Sequence, residues 1–397
     1  MGPGPLIAAA FIGPGTVTMC TLAGVEFGYA LLWVIGLSVF ATILLQEMSA
    51  RLGVISQKGL AQVIRTEIQH PIFKILAILL LISSILIGNA AYEAGNISGA
   101  GLGVETLFGS MEFTLFQHNF NFSAFVVGTM AFIALYLGNY KVIERFLIGL
   151  VVLMSIAFLS TAIITKPDWS QILAGLLKPA PRRDNILTIL GLVGTTIVPY
   201  NLFLHASLAK TKWKKKQQLK YAQRDTVIAI VLGGLISMSI IIAAAAIPIN
   251  DISSASDLAL GLEPLFGEYA KFLLATGLFA AGITSAITAP LAAAYVTCGC
   301  LGWSTELKSK PFRAIWMLVL GIGVLFSVMD FKPITVIKFA QIANGLLLPI
   351  IVLLLFWIMN NSKILGTYVN SKIQNIALFF IVVLAISLGL KGIFSAL

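Results

Sequence analysis

Two apolar stretches, each long enough for a membrane helix, are interrupted near the middle by glycine or proline. The first runs from Leu6 to Leu22 and is broken by Gly13-Pro14-Gly15. The second runs from Ile186 to Leu208 and is broken at Val198-Pro199-Tyr200. Within a bilayer every backbone N–H and C=O has to be satisfied, so a break is tolerated only where protein, water or an ion uses the freed groups. Glycine permits unwound angles, and proline removes a donor. The two stretches begin 180 residues apart, as equivalent elements of two structural repeats would. Matched interruptions of this kind point to the substrate site of a secondary transporter.

The rest of the chain fits a membrane setting. Hydrophobic residues make up 58% of the 397 and charged residues 11%, against about 25% charged in a soluble domain. Mean hydropathy is +0.97. The apolar residues fall into helix-length blocks that can cross a hydrocarbon layer about 30 Å thick. They parse into eleven spans: 3–24 (broken), 28–51, 71–98, 122–138, 143–165, 186–209 (broken), 226–248, 270–299, 314–330, 337–359 and 374–395. No ten-residue alternation of membrane strands is evident. The expectation is one all-α polytopic domain over 1–397, with no removable signal peptide, in a cell membrane such as a bacterial inner membrane.

The net charge of +10 sits in short loops between apolar blocks, which argues against nucleic acid as a partner and for the lipid bilayer. Lysine and arginine density sets orientation. One set of loops is 52–70, 139–142, 210–225, 300–313 and 360–373; the third of these carries Lys210, Lys212, Lys214, Lys215, Lys216, Lys220 and Arg224. The opposite loops 99–121 and 249–269 carry Glu105, Glu112, Asp251, Asp257, Glu263 and Glu268, with no lysine or arginine. This places the N-terminus in the cytoplasm and the C-terminus outside. Five spans over 3–165 and five over 186–359 form two repeats. Because five is odd, the second repeat is inverted, and 374–395 is an additional helix.

Several polar groups lie in these apolar spans. Thr16 adjoins the first break; Thr195, Tyr200, Asn201 and His205 flank the second. Asn201 and His205 share a helical face. Glu93 lies on a polar stripe with Asn89 and Asn96, and an intramembrane carboxylate is a functional hypothesis by default. Glu93 and His205 are the candidates for proton coupling, and Gln341 and Asn344 give the tenth span an amide-bearing face. Glu47 is expected to pair with Arg51 near the end of its span. Cys298-Gly299-Cys300 lacks a zinc or redox spacing and reads as packing. There is no phosphate-binding Gly-rich loop and no hydrolase pattern, so neither ATP drive, a cofactor nor enzymatic activity is expected.

These residues also carry a family resemblance. Gly2-Pro3-Gly4, Phe11 to Thr16, Gly24 to Trp33, Gln46 to Gly53 and Val198 to Ser207 resemble the NRAMP divalent-metal transporters. Gly277 to Ala294 is similar to that family's small-residue eighth helix, and Pro349 lies in a similar tenth helix. The resemblance implies a LeuT-like fold of inverted five-helix repeats with helices 1 and 6 unwound. It also implies inward carriage of Mn²⁺, Fe²⁺ and related ions, usually with protons.

The binding motifs differ from the family's. Its Asp-Pro-Gly-Asn reads Gly13-Pro14-Gly15-Thr16 here, and its Met-Pro-His reads Val198-Pro199-Tyr200. By resemblance the substrate site comprises Gly13, Thr16, Thr195, Val198, Tyr200, Gln341 and Asn344, with a divergent metal site at Gly13, Thr16, Thr195 and Gln341. His205 matches a proton-linked histidine, and Glu93 an acidic residue used in proton transfer. Thioether ligands favour transition metals, whereas hydroxyl and carbonyl oxygens suit harder ions. Loss of the carboxylate and the methionine therefore removes the usual Mn²⁺ and Fe²⁺ ligands, and leaves Mg²⁺ or another divalent cation, held through waters and protein oxygens, as the expected inorganic cargo. The alternatives are transport of a small organic solute or a monovalent ion, and a non-transport receptor or scaffold. A monomer is expected.

Overall fold

The computed structural model describes residues 12–110, 112–115, 118–138, 141–248, 252–329 and 331–396. The first half of the 3–24 span, up to Phe11, lies outside the described residues.

The principal helices are α1 (Pro14–Phe27), α2 (Leu32–Ser56), α3 (Leu60–Glu67), α4 (Pro71–Phe108), α5 (Phe122–Leu137) and α6 (Lys141–Ile164). They continue with α7 (Trp169–Leu177), α8 (Ile186–Thr196), α9 (Pro199–Lys212), α10 (Leu219–Ala244) and α11 (Ala270–Leu301). The last three are α12 (Lys310–Val328), α13 (Pro333–Met359) and α14 (Lys372–Ala396). Short helical turns join several of them. Among the described residues, nine helical stretches are long and apolar enough to cross a membrane, and α5 is a shorter apolar helix.

Helix starts follow the sequence. Proline opens α1, α4, α9 and α13, where its missing N–H costs nothing and its fixed φ is already helical. Asp168 caps α7, accepting hydrogen bonds from Ser170 and Gln171, first through their side chains and then through their backbone amides, which hold its carboxyl at about 2.

Helix α4 is the central post. At 38 residues and 1.5 Å per residue it is roughly 57 Å long, and it packs on α11, α13 and α12. Gly88, Gly95 and Gly99 turn one face of α4 toward α13 and Pro14, at distances where a Cβ would crowd Leu347, Ala340 and Pro14 respectively. Small residues permit this close approach between membrane helices. Phe40, Ile87, Phe125 and Phe380 stay exposed on the outside, as apolar side chains do when the surrounding solvent is lipid.

The structure corrects one sequence expectation. The 99–121 segment is not all loop, because α4 runs on to Phe108, where Gly103 packs against Ala275 of α11. Beyond α4, within the all-α bundle, a short hairpin forms the connection to α5: strand β1 (Glu112–Leu115) pairs antiparallel with β2 (His118–Asn121), with Glu112 opposite Asn121. Asn121 then caps α5 by accepting from the Ala124 amide.

A buried polar network fastens the last helix. Arg51 pairs with Glu47 at 3.2 Å, as expected, and also donates to Asn370 Oδ1 at 2.7 Å and to the Tyr368 carbonyl at 3.2 Å. The segment entering α14 is thereby tied to α2. Such a network is costly to break, because removing one partner strands a buried charge.

Candidate functional site

Helix α1 begins at Pro14, and Gly13 before it is extended, with φ −89 and ψ 174. The Gly13 carbonyl accepts from the Val17 amide at 3.2 Å. Helix α8 ends at Thr196, and α9 restarts at Pro199 after Ile197 and the extended Val198. Pro199 has no N–H, so the Thr195 carbonyl has no amide four residues on to receive, and the break follows from the sequence. The Thr16 and Thr195 hydroxyls are 2.9 Å apart and share a buried hydrogen bond.

Helix α13 closes one side of this place. The Gln341 amide lies over Gly15, where a Cβ would collide with it, and the Gln341 backbone carbonyl presses on Gly194 of α8. Both glycines are needed for that approach. Gln341 Oε1 and Asn344 Nδ2 are buried without a hydrogen-bond partner, an acceptor and a donor one helical turn apart. An unpaired buried polar atom costs about 1–3 kcal/mol, which makes a bound group with complementary polarity favourable here.

The opposite side was not foreseen from sequence. A Cβ on Gly13 would lie 3.5 Å from the Tyr92 hydroxyl and 3.5 Å from Ser285 Oγ. The Tyr92 and Tyr200 rings meet edge-on at 5.6 Å between centroids. The signal for Tyr92 lies in the spacing of Gly88, Tyr92, Gly95 and Gly99, which puts the tyrosine on the close-packed face of α4. Ser285 sits in a helix rich in small residues and carries no comparable mark.

The structure thus gathers Gly13, Thr16, Thr195, Tyr200 and Gln341 about the break, with Tyr92 and Ser285 beside them. Asn344 lies next along α13, its Oδ1 facing Gly88. Val198 is buried at the start of α9 and offers no ligand atom. The side-chain donors named here are neutral. Among the described residues there is no group of three or more His, Cys, Asp or Glu side chains able to hold a metal.

Glu93 and His205 lie in separate surroundings. One residue after Tyr92, Glu93 is turned about 100° around α4, and its Cγ faces Gly323 of α12. Asn96 Nδ2 is 3.5 Å from its Oε2, and Oε1 has no partner. His205, on α9, hydrogen-bonds through Nδ1 to Gln46 Oε1 of α2, and its Nε2 is 3.3 Å from Thr226 Oγ1 of α10. Thr226 in turn donates to the Ala222 carbonyl at 2.8 Å. Gln46 as the partner of His205 was also missed from sequence, since the two are 159 residues apart.

An apolar helical bundle in which the start of α1 meets the break between α8 and α9 at a buried polar centre defines a polytopic membrane transporter. The profile of the natural resistance-associated macrophage protein-like family matches residues 4–395, and the chain belongs to that family, NRAMP. It is 30% identical over 398 residues to the divalent metal cation transporter MntH of Yersinia enterocolitica, covering 98% of this chain and 93% of that protein. MntH of Bacillus subtilis is 28% identical, with 98% and 90% covered. A manganese transporter of Eremococcus coleocola superposes with a TM-score of 0.77 at 20% identity, covering 99% of this chain and 85% of that one. The fold is that of LeuT-related transporters.

Proposed function

We propose that this chain is a secondary transporter that moves a divalent cation inward through the break, and that the cation keeps much of its water shell. The observation carrying this reading is the Thr16–Thr195 bond, which joins the two interruptions beside a pocket of neutral oxygen and amide groups. Relatives that align with nearly the whole chain are named divalent metal cation transporters. Without a carboxylate or thioether, a bare transition-metal ion would lack both charge compensation and soft ligands. Mg²⁺ dehydrates reluctantly and is commonly held through its waters. Hydroxyls and amide oxygens at the break would accept hydrogen bonds from those waters.

In this reading the chain crosses a bacterial inner membrane eleven times with its N-terminus in the cytoplasm. Residues 3–165 and 186–359 are inverted repeats, helices 1 and 6 are unwound at the site, and 374–395 is additional. Access alternates as one helical bundle rocks against the other. Glu93 and His205 carry the proton coupling. The surroundings of His205 support that role. Its ring is buried between α2 and α10; Nδ1 hydrogen-bonds to Gln46 Oε1, and Nε2 lies 3.3 Å from Thr226 Oγ1, whose hydroxyl donates to the Ala222 carbonyl. The ring thus has polar neighbours on two other helices. Glu93 is a buried carboxyl with one oxygen unspent.

A second reading, a small polar solute as cargo, is favoured by the unpaired donor on Asn344 beside the unpaired acceptor on Gln341. Calorimetric titration of the purified protein with MgCl₂, MnCl₂ and a panel of neutral amino acids and amides separates the two. Saturable Mg²⁺ heat with none from the solutes supports the cation. Solute heat without Mg²⁺ heat supports the second reading and overturns the first.

A further inference from the structure

A second cavity, of about 500 Å³, opens at the end of the bundle where α3, α9 and the C-terminal end of α11 meet. No residue described at the break lines it. Among the described residues its charged lining is Arg65 of α3 and Lys210 in the last turn of α9, with no aspartate or glutamate facing it. Ser207 and Thr211 add hydroxyls, and Tyr295 and Trp303 add aromatic wall. Among the described residues, neither Arg65 nor Lys210 forms an ion pair or a hydrogen bond.

Arg65 is held in place. Its guanidinium lies against Gly302, which caps α11 at φ 73, and a Cβ there would collide with the guanidinium. The negative end of the α11 dipole accounts for a cation at this point. It does not use the guanidinium's donors, and it does not explain a second unpaired cation on the same cavity. Like charges sharing a cavity repel unless a counter-ion joins them. A cation leaving by this mouth would also meet charge of its own sign, so cation passage does not account for the lining.

We propose that this cavity is a binding site for a phosphate-bearing anion. The guanidinium offers a planar fork that fits two phosphate oxygens, and Lys210 supplies a point charge. Ser207 and Thr211 can donate to further oxygens. A volume of this size is in the usual range for small ligands, and it leaves room for an apolar or aromatic remainder against Tyr295 and Trp303. Lys212, Lys214, Lys215 and Lys216 follow directly on α9 and raise the local concentration of anions. Helix α9 is the half-helix that follows the break, so an anion held here ties its end to α3 and α11. Occupancy therefore slows any transport step in which α9 moves relative to α11. The phosphate group can belong to a soluble molecule or to a lipid headgroup.

The test uses the full-length protein in nanodiscs of phosphatidylcholine, titrated with inorganic pyrophosphate and followed by calorimetry. A parallel arm measures phosphatidylglycerol retained by the protein after purification from mixed nanodiscs. Arg65→Gln and Lys210→Gln should each weaken pyrophosphate binding about tenfold or more, the size expected for losing a charge-assisted hydrogen bond. Their melting temperatures in phosphate-free buffer should match the native protein. Pyrophosphate binding lost in the variants identifies a soluble ligand. Loss confined to retained phosphatidylglycerol identifies a headgroup. Equal behaviour of native protein and the Arg65→Gln/Lys210→Gln double variant in both arms overturns the proposal, as does absence of saturable binding in both. If one variant fails to fold, the other decides.

Discussion

Thr16 and Thr195 stand 179 residues apart in the chain, yet their hydroxyls are 2.9 Å apart where the start of α1 meets the end of α8. One hydroxyl sits in the first turn of α1 and the other in the last turn of α8, so the bond fixes these two helix ends relative to each other. Thr16→Val or Thr195→Val keeps the shape and removes the bond. A hydrogen bond of this kind contributes about 0.5–1.5 kcal/mol. Either variant should therefore raise KM for the transported cation about three- to tenfold. Uptake kinetics in proteoliposomes measure this, and the double variant should show much less than the product of the two single effects.

Two glycines beside Gln341 should behave differently. Alanine at Gly15 meets the Gln341 amide, the far end of a flexible side chain, whereas alanine at Gly194 meets the Gln341 backbone carbonyl. Gly15→Ala should displace the amide, weaken uptake and leave thermal stability near native. Gly194→Ala should cost about 1–3 kcal/mol as overpacking, read as a lower melting temperature.

Restoring ligands should shift selectivity. In Gly13→Asp/Thr16→Asn/Val198→Met the new carboxylate extends toward the hydroxyls of Tyr92 and Ser285, which can donate to it. Mn²⁺ affinity by calorimetry should rise at least tenfold over the native protein. An unchanged value in a folded triple variant would mean these positions do not surround a metal.

Proton coupling should separate from binding. Glu93→Gln and His205→Ala should each abolish cation-driven acidification of the liposome lumen while changing cation affinity less than threefold, since neither side chain lines the break. Glu93→Gln removes a buried ionisable group and preserves its shape, so folding should be retained. Full acidification in the double variant would remove both residues from the mechanism.

Much of the architecture was legible in the sequence. Apolar block length located most of the membrane helices among the described residues, although α4 runs on to Phe108 past the expected end at 98 and α10 begins at Leu219 ahead of 226. Pro199 marks the interruption between α8 and α9. The 99–121 segment reads as a loop in the sequence, whereas its first part continues α4, where Gly99 and Gly103 permit close packing against Pro14 and Ala275. The structure places Thr16, Thr195, Tyr200 and Gln341 together beside the break. Tyr92, Ser285 and Gln46 were not foreseen, because a single hydroxyl or amide in an apolar helix carries no local pattern; only tertiary packing says which face it takes. The partners of His205 lie on two other helices, beyond the reach of spacing arguments.

The most direct test of a carboxylate-free cation site is the initial rate of Mg²⁺ uptake by the native protein in proteoliposomes, measured with increasing external Mn²⁺. Saturable Mg²⁺ uptake that Mn²⁺ inhibits only at comparable concentrations is the expected result when both ions are held through their waters. Tight Mn²⁺ inhibition at nanomolar concentration, or no Mg²⁺ uptake by a folded protein, would contradict it.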